Sequence, residues 1–384
     1  MKQNCCDVLI VGGGPAGLAA AIALRMRGAD VLVADALKPP IDKACGEGLM
    51  PDARRDLAAL GVSFEDGAGA PFRGIRFVSW TDGEPVSISA DFVSGPGVGI
   101  RRTLLHSRMV ERAMEVGVRL RWGTRVALGS RVALDSEACS FRYMVGADGQ
   151  SSRVRAWAGL DRGWLISRRF GFRRHYQVPA PSSNVEVHWC DAGQVYITPV
   201  AQGEICVAAV TRHNSTRMGQ VIGAVPYLRD RLSGAEASTG ERGALTTTRR
   251  LRCVARGNVA LIGDASGSVD AVTGEGLAIG FRQAGLLSQS LEQGALDFYA
   301  AEHEKTMRMP GRMARVLLLM DAHPALRRAA QRVLAGSPGL FGELLQVHMG
   351  EESLRHFLIH NGAAVLKSLA DAGLCASESD RASA

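Results

Sequence analysis

Residues 7–11, DVLIV, form an unbroken apolar, β-branched run bounded by glycines, the pattern of a short strand buried on both faces. Residues 12–30, GGGPAGLAAAIALRMRGAD, place alanine and leucine at helical spacing with Gly28 near the C-terminal cap, and residues 31–34, VLVA, predict a second strand ending at Asp35. Across residues 168–200 the period shortens. RRFGFRRHYQV, NVEVHW and QVYITPV alternate apolar and polar positions, are interrupted by Pro181 and Gly193, and predict antiparallel strands. Past Glu292 the helical period returns in LDFYAAEHEKTMRM, GRMARVLLLM and ALRRAAQRVLAG, with breaks expected at Pro310, Pro324 and Pro338. The leucine and methionine stripe of these helices is expected to pack on the core or cap a cavity; a helix resting on a membrane surface is the alternative. The last residues, ASESDRASA, read as a polar tail without fixed structure.

Strand, glycine turn, helix, strand and acid, in that order, make a βαβ dinucleotide-binding unit. Gly12 permits the tight turn, Gly14 lets backbone N–H groups approach a pyrophosphate, and Gly17 lets the helix pack closely on the sheet. Pro15 and Ala16 open the helix, whose N-terminus supplies positive potential for phosphates. Asp35 is placed to accept hydrogen bonds from ribose hydroxyls. This unit alone does not separate FAD from NAD.

At 384 residues the chain suits two domains plus an appendage. Its formal net charge of +7 fits an anionic ligand, a nucleic acid or a membrane surface, but an aromatic content of 5% gives no stacking platform and excludes nucleic acid as a partner. Eight scattered cysteines without a C-x-x-C pair read as free thiols in a reducing cytoplasm, and no apolar run reaches the ~20 residues that span a bilayer. Arg168, Arg169, Arg173 and Arg174 form one dense cluster and Arg249, Arg250, Arg252 and Arg256 a second; each either attracts NAD(P)H phosphates or charges a strand edge against aggregation. His175, Tyr176, His188 and Tyr196 are the clustered candidates for proton transfer. No paired carboxylates, Ser-His-Asp order or metal-ligand spacing stands out, so a cofactor must carry the hard chemistry.

Two later stretches decide which cofactor. Residues 146–155, GADGQSSRVR, and residues 261–280, LIGDASGSVDAVTGEGLAIG, resemble the second and third fingerprints of the FAD-dependent p-hydroxybenzoate-hydroxylase class. The resemblance implies FAD bound by Asp148 and Gly149, by Gly263 and Asp264 at the ribityl chain, and by Gly274, Gly276 and Leu277 at a helix N-terminus facing the flavin pyrimidine edge. It also implies an arginine beside the cofactor, either Arg102 or its neighbour Arg101. Within residues 42–51, DKACGEGLMP, the D-K-x-C-G motif at Asp42–Gly46, together with the later T-G-E-G stretch, looks like the geranylgeranyl-reductase-like branch, a resemblance that implies Ala44, Cys45 and Gly46 at the flavin. Gly46 and Gly48 suit backbone that approaches the cofactor or adopts positive φ, and Cys45 is either catalytic or a cavity-lining thiol.

The expected architecture is α/β. A Rossmann-like FAD-binding domain with a mostly parallel sheet covers 1–70, 98–160 and 250–295, an inserted antiparallel β-sheet substrate domain covers 71–97 and 161–249, a helical region runs over 296–375, and a tail over 376–384. The expected activity is that of a single-component monooxygenase: NAD(P)H, a transient reductant, reduces the flavin, oxygen adds at C4a, and one oxygen atom passes to a lipophilic phenolic, polyketide-like or isoprenoid molecule. Cys45, His175 and Tyr196 are the catalytic candidates. The alternative is a reductase of prenyl-chain double bonds; it ranks second because the segment around Tyr196, Thr198 and Pro199, where the resemblance implies an aromatic motif ending in proline, keeps only one tyrosine, and a halogenase and a non-catalytic flavoprotein fit less well. A cytoplasmic protein follows, with peripheral membrane contact as an option.

Overall fold

The computed structural model describes residues 4–65, 67–81 and 84–362; the part of the expected helical region beyond residue 362 and the expected tail from residue 376 lie outside them. The DVLIV run sits in the strand Asn4–Val11, which pairs in parallel with Val31–Asp35 on one side and Glu137–Gly146 on the other. Arg119–Trp122 and Val259–Leu261 extend the sheet outward in parallel, and Ala255–Arg256 closes one edge antiparallel. Both faces are covered, which is why the strand residues are apolar without alternation. On one face Val8, Ile10 and Val33 pack with Leu18 and Ile22 of the helix Pro15–Met26 and with Phe281 and Leu287 of the helix Gly276–Glu292. On the other Leu9, Leu32, Met144 and Leu261 pack with Val126, Val132 and Val154.

A second, seven-stranded sheet faces the first unit. Its order is Arg242–Leu251, Gly163–Tyr176, Glu204–Thr211, Gly193–Ala201, Val185–Cys190, Gly74–Thr81 and Glu84–Asp91. The pairings are antiparallel as the alternation predicts, except that Val185–Cys190 runs parallel to Gly74–Thr81. That partner arrives from a distant stretch of chain, so no hairpin turn dictates its direction. A three-stranded ribbon of Gly48–Leu49, Gly97–Gly99 and Ala70–Phe72 lies between the two sheets in sequence and brings the KACGEGLMP stretch to their junction.

The C-terminal helices are Asp297–Ala322, Pro324–Gly336 and Pro338–His348. Pro324 and Pro338 start helices, where their missing N–H costs nothing. Pro310 does not break its helix, contrary to the expectation from sequence. It is buried there, and tertiary packing outweighs the one lost backbone hydrogen bond.

Two arginines tie the second sheet to the first unit. Residues 169, 171, 173 and 175 share one face of the strand Gly163–Tyr176. Arg169 donates to Asp270, through Nε at 3.1 Å and through Nη2, and lies 3.4 Å from Asp321 of the long C-terminal helix. Arg173 pairs with Asp42 and approaches Glu47 at 3.8 Å. Both guanidiniums are 2% exposed. They are internal braces and cannot receive NAD(P)H phosphates, which corrects the functional reading of that cluster. In the same cluster Arg168 lies over Phe170 and Arg174 faces Glu241 at 3.6 Å.

One further brace titrates. His303, in the helix Asp297–Ala322, sits 2.9 Å from Ser266 Oγ beside the third fingerprint, and burial pushes its pKa down to about 4. A protonated His303 is therefore stable in the unfolded chain from its ordinary value of 6.5 downward but is refused by the folded chain until about pH 4. Stability should fall as pH drops through this window, by ~3 kcal/mol in all. Urea unfolding at pH 7.5 and pH 5 measures the slope; His303→Gln should remove most of it, and an unchanged slope in that variant would contradict the assignment.

Candidate active site

The site begins at the glycine turn. Gly12 has φ +110°, and a Cβ there would run into the backbone of Ala147. Gly13 N donates to Asp35 Oδ2 at 2.7 Å, and Leu37 N donates to Asp35 Oδ1 at 2.8 Å, so Asp35 fixes the turn as well as facing the cavity. A Cβ on Gly14 would meet nothing within 4 Å, and the helix that follows has no side-chain cap. Its first N–H groups are thus open to an anion, with room for it to approach. A Cβ on Gly17 would strike the Gly12 carbonyl oxygen, which is the close helix packing expected of it; alone among the proposed cofactor residues it does not line the cavity.

One continuous cavity of about 900 Å³ extends from this turn. Asp148, Gly149, Gly263, Asp264, Gly274, Gly276 and Leu277 all border it. Asp148 accepts from Arg153 N at 2.7 Å and Val154 N at 3.1 Å, while its other oxygen is buried without a partner. Arg155, in the same fingerprint, is a brace: it donates to the Gln150 and Ala265 carbonyls at 2.8 and 3.1 Å and so joins the second fingerprint to the third. The helix Gly276–Glu292 starts without a side-chain cap, leaving its positive end exposed to the cavity. Glu275, just before it, is buried and its pKa is raised by desolvation, with His348 at 3.7 Å opposing that rise.

In KACGEGLMP the residue at positive φ is Glu47, at +60°, and neither Gly46 nor Gly48. The carboxylate explains it. Glu47 Oε1 accepts from Arg102 N at 3.0 Å, Oε2 lies 2.6 Å from His175 Nε2, and the backbone carbonyl accepts from Ile100 N at 2.9 Å. These contacts hold a conformation that costs a non-glycine residue ~1–2 kcal/mol. Ala44, Cys45 and Gly46 are thereby set in the cavity wall.

The arginine doublet separates cleanly. Arg101 is bound to Glu204 on the second sheet, with Nε donating at 2.8 Å, and to Ser238 at 3.1 Å. Arg102 lines the cavity, and its buried Nε has no partner. Of the catalytic candidates, Cys45 and Tyr196 reach the cavity and His175 does not. His175 lies behind Glu47, bonded to Thr239 Oγ1 at 2.9 Å and to Arg173 at 3.2 Å; it supports the loop and does not face a substrate. His188 is buried against Glu186 at 2.9 Å, and Tyr176 lies in the apolar core of the second sheet. Tyr196 donates to Gln194 Oε1 at 3.1 Å, and desolvation raises its pKa well above the ordinary phenol value. Two wall residues carried no signal in the sequence: Glu47, an acid between glycines, and His348, which reaches the cavity only because its helix folds back on Thr273, whose carbonyl lies 3.0 Å from Nε2.

These observations fit FAD: an open glycine turn and helix end, an acid at the second strand, an unpartnered buried guanidinium, and a second open helix end. Residues 5–171 match the family model described as FAD binding domain. The menaquinone reductase of Mycolicibacterium smegmatis is 27% identical over 327 residues, 77% of this chain and 78% of the relative. A 12-dehydrotetracycline 5-monooxygenase/anhydrotetracycline 6-monooxygenase of Streptomyces rimosus is 34% identical over 172 residues, 40% of this chain and 33% of the relative. A flavoprotein/dehydrogenase from Cytophaga hutchinsonii superposes with a TM-score of 0.80 at 16% identity, covering 96% of this chain and 99% of that one, and so shares the fold.

Replacing each arginine separates their roles. Arg102→Ala should weaken retention of the dinucleotide about tenfold or more, since a charged hydrogen bond is worth ~1.5–3 kcal/mol. Arg101→Ala should leave retention intact and lower the melting temperature, because it strands the buried Glu204. Gel filtration of the flavin-loaded protein followed by its visible absorbance reads the first effect; equal retention in both variants would count against the assignment.

Proposed function

We propose that this chain, an FAD-dependent oxidoreductase in which residues 5–171 match the FAD binding domain model, is a monooxygenase that places one atom of O2 on a long, lipophilic, phenolic or polyketide-like molecule. The observation that carries this reading is the reach of the cavity. From the cofactor cradle it continues beneath the second sheet, past Phe77, Val187 and Trp189, and along the C-terminal helices, past Met313, Leu317 and Phe341. Such a wall selects an extended apolar molecule. The monooxygenase relative, 34% identical over its matched stretch, supports the reaction type.

FAD, when bound, supplies the redox chemistry: NAD(P)H gives up a hydride, O2 is reduced, one oxygen atom joins the substrate and the other leaves as water. The chain supplies the surroundings. The uncapped helix end at Gly276 and the Arg102 guanidinium bring positive potential to the cavity, which would stabilise the negative charge of reduced FAD held there. Glu47 is hydrogen-bonded to His175, and Arg101 with Glu204 and Arg169 with Asp270 keep their charges paired with one another around the cavity, so its substrate end stays apolar and excludes water. Tyr196 remains a neutral hydroxyl on the wall, a hydrogen-bond donor to Gln194.

A second reading has its own support. The menaquinone reductase relative matches over about three quarters of both chains, and Cys45 lies in the cavity wall. In that reading a prenyl double bond would be saturated, one carbon taking a hydride that bound, reduced FAD would supply and the other a proton. The discriminating experiment follows NAD(P)H consumption with long-chain phenols and polyprenyl lipids, under air and under argon. A monooxygenase consumes one O2 per NAD(P)H and incorporates label from 18O2; turnover that continues under argon with saturation of an alkene would refute it. Cys45→Ala should keep FAD bound and slow only the reductase, at least tenfold if the thiol delivers the proton.

A further inference from the structure

The cavity reaches the surface along the helix Asp297–Ala322. Arg312 and Val316 line it and are at the same time solvent-exposed, and with Arg315 and Leu319 they occupy positions i, i+3, i+4 and i+7, one face of that helix. Val316 is 54% exposed and Leu319 50%, although both are large and apolar. The charges on this face are unusual in having nothing to neutralise them. Lys305 and Arg308, earlier on the helix, pair with Glu302 and Glu304, whereas Arg312 and Arg315 have no ion-pair partner among the described residues. Residues 305–342 contain seven Lys and Arg and a single acid, Asp321. That acid is buried and held by Arg169 and Arg212. The next helix, Pro324–Gly336, adds exposed Arg328 and Arg332, again without partners among the described residues. Leu358 and Ile359, further along the chain, are 53% and 80% exposed.

Exposed branched side chains flanked by unpaired guanidiniums match one partner chemistry closely, the surface of an anionic bilayer. Apolar groups enter the acyl boundary while arginines reach the phosphates, and each arginine near such a surface adds ~1 kcal/mol. An acidic protein would use the arginines but not the apolar mouth between them. We propose that this face of the C-terminal helices docks on an anionic membrane and takes the substrate from it directly into the cavity, without passage through water. This deepens the reading of the site as one for a lipophile, but docking is measured without turnover, so it stands or falls separately from the reaction.

The test sediments the FAD-loaded full chain with vesicles of phosphatidylcholine, alone or mixed with phosphatidylglycerol. Binding is expected to the mixed vesicles and to weaken as salt rises. Arg315→Glu with Arg328→Glu should reduce it about tenfold or more. Leu319→Gln should reduce it at every salt concentration. Unchanged flavin absorbance and melting temperature show that each variant is folded. Absence of binding to the mixed vesicles, or variants that bind like the parent, overturns the proposal. Capture by soluble poly-glutamate with vesicles left unbound overturns it in favour of an acidic protein partner.

Discussion

Everything about the site depends on two buried positive charges on one strand. Arg169 and Arg173 lie four residues apart on the same face of Gly163–Tyr176, and each must find carboxylates or forfeit the cost of leaving water. Asp270 comes from the approach to the cofactor helix, Asp321 from the long C-terminal helix, and Asp42 and Glu47 from the loop after the second strand. The four acids fix where the second sheet sits over the first unit. Between the arginines stands Gly171, which opens the wall to the cavity. Ion pairs of this kind add little net stability, but breaking one strands its partner, so they specify position more than they strengthen the fold.

Glu47 transmits that placement to the cofactor side. Its left-handed backbone is sustained by His175 from the second sheet and by the Arg102 amide and the Ile100 pairing from the first unit. The loop that carries Cys45 is therefore a clamped bridge between the two halves, and the thiol and the Arg102 guanidinium are set in a common cavity by a residue whose carboxylate is engaged by the Arg102 amide and His175. Apolar side chains of the sheet and of the terminal helices then close the far end.

The βαβ unit was legible because its signals are local. Gly12, Gly14 and Gly17 act on neighbours within one turn, and sixteen of the seventeen residues proposed for the cofactor do border the cavity. Alternation likewise announced the antiparallel sheet. What failed were inferences about where a side chain ends up. Arg169 and Arg173 read as exposed charge, either for NAD(P)H phosphates or for a strand edge, because their acids lie up to 152 residues away in sequence. His175 read as a proton-transfer group although Glu47 stands between it and the cavity. Pro310 read as a helix stop because propensity is local and the packing that overrides it is not.

The amino-acid sequence by itself determined a dinucleotide-binding surface, since a glycine turn, a helix start and an acid are chemistry written within about 25 residues, and the resemblance of two later stretches to known fingerprints pointed to FAD. Only the tertiary structure decided which of Arg101 and Arg102 is free, that Cys45 borders a cavity, and that the left-handed residue of KACGEGLMP is its glutamate. The reason is physical: a charge becomes a ligand, a brace or a solvated group according to what approaches it from distant parts of the chain, and that is set by burial and pairing that no local pattern encodes.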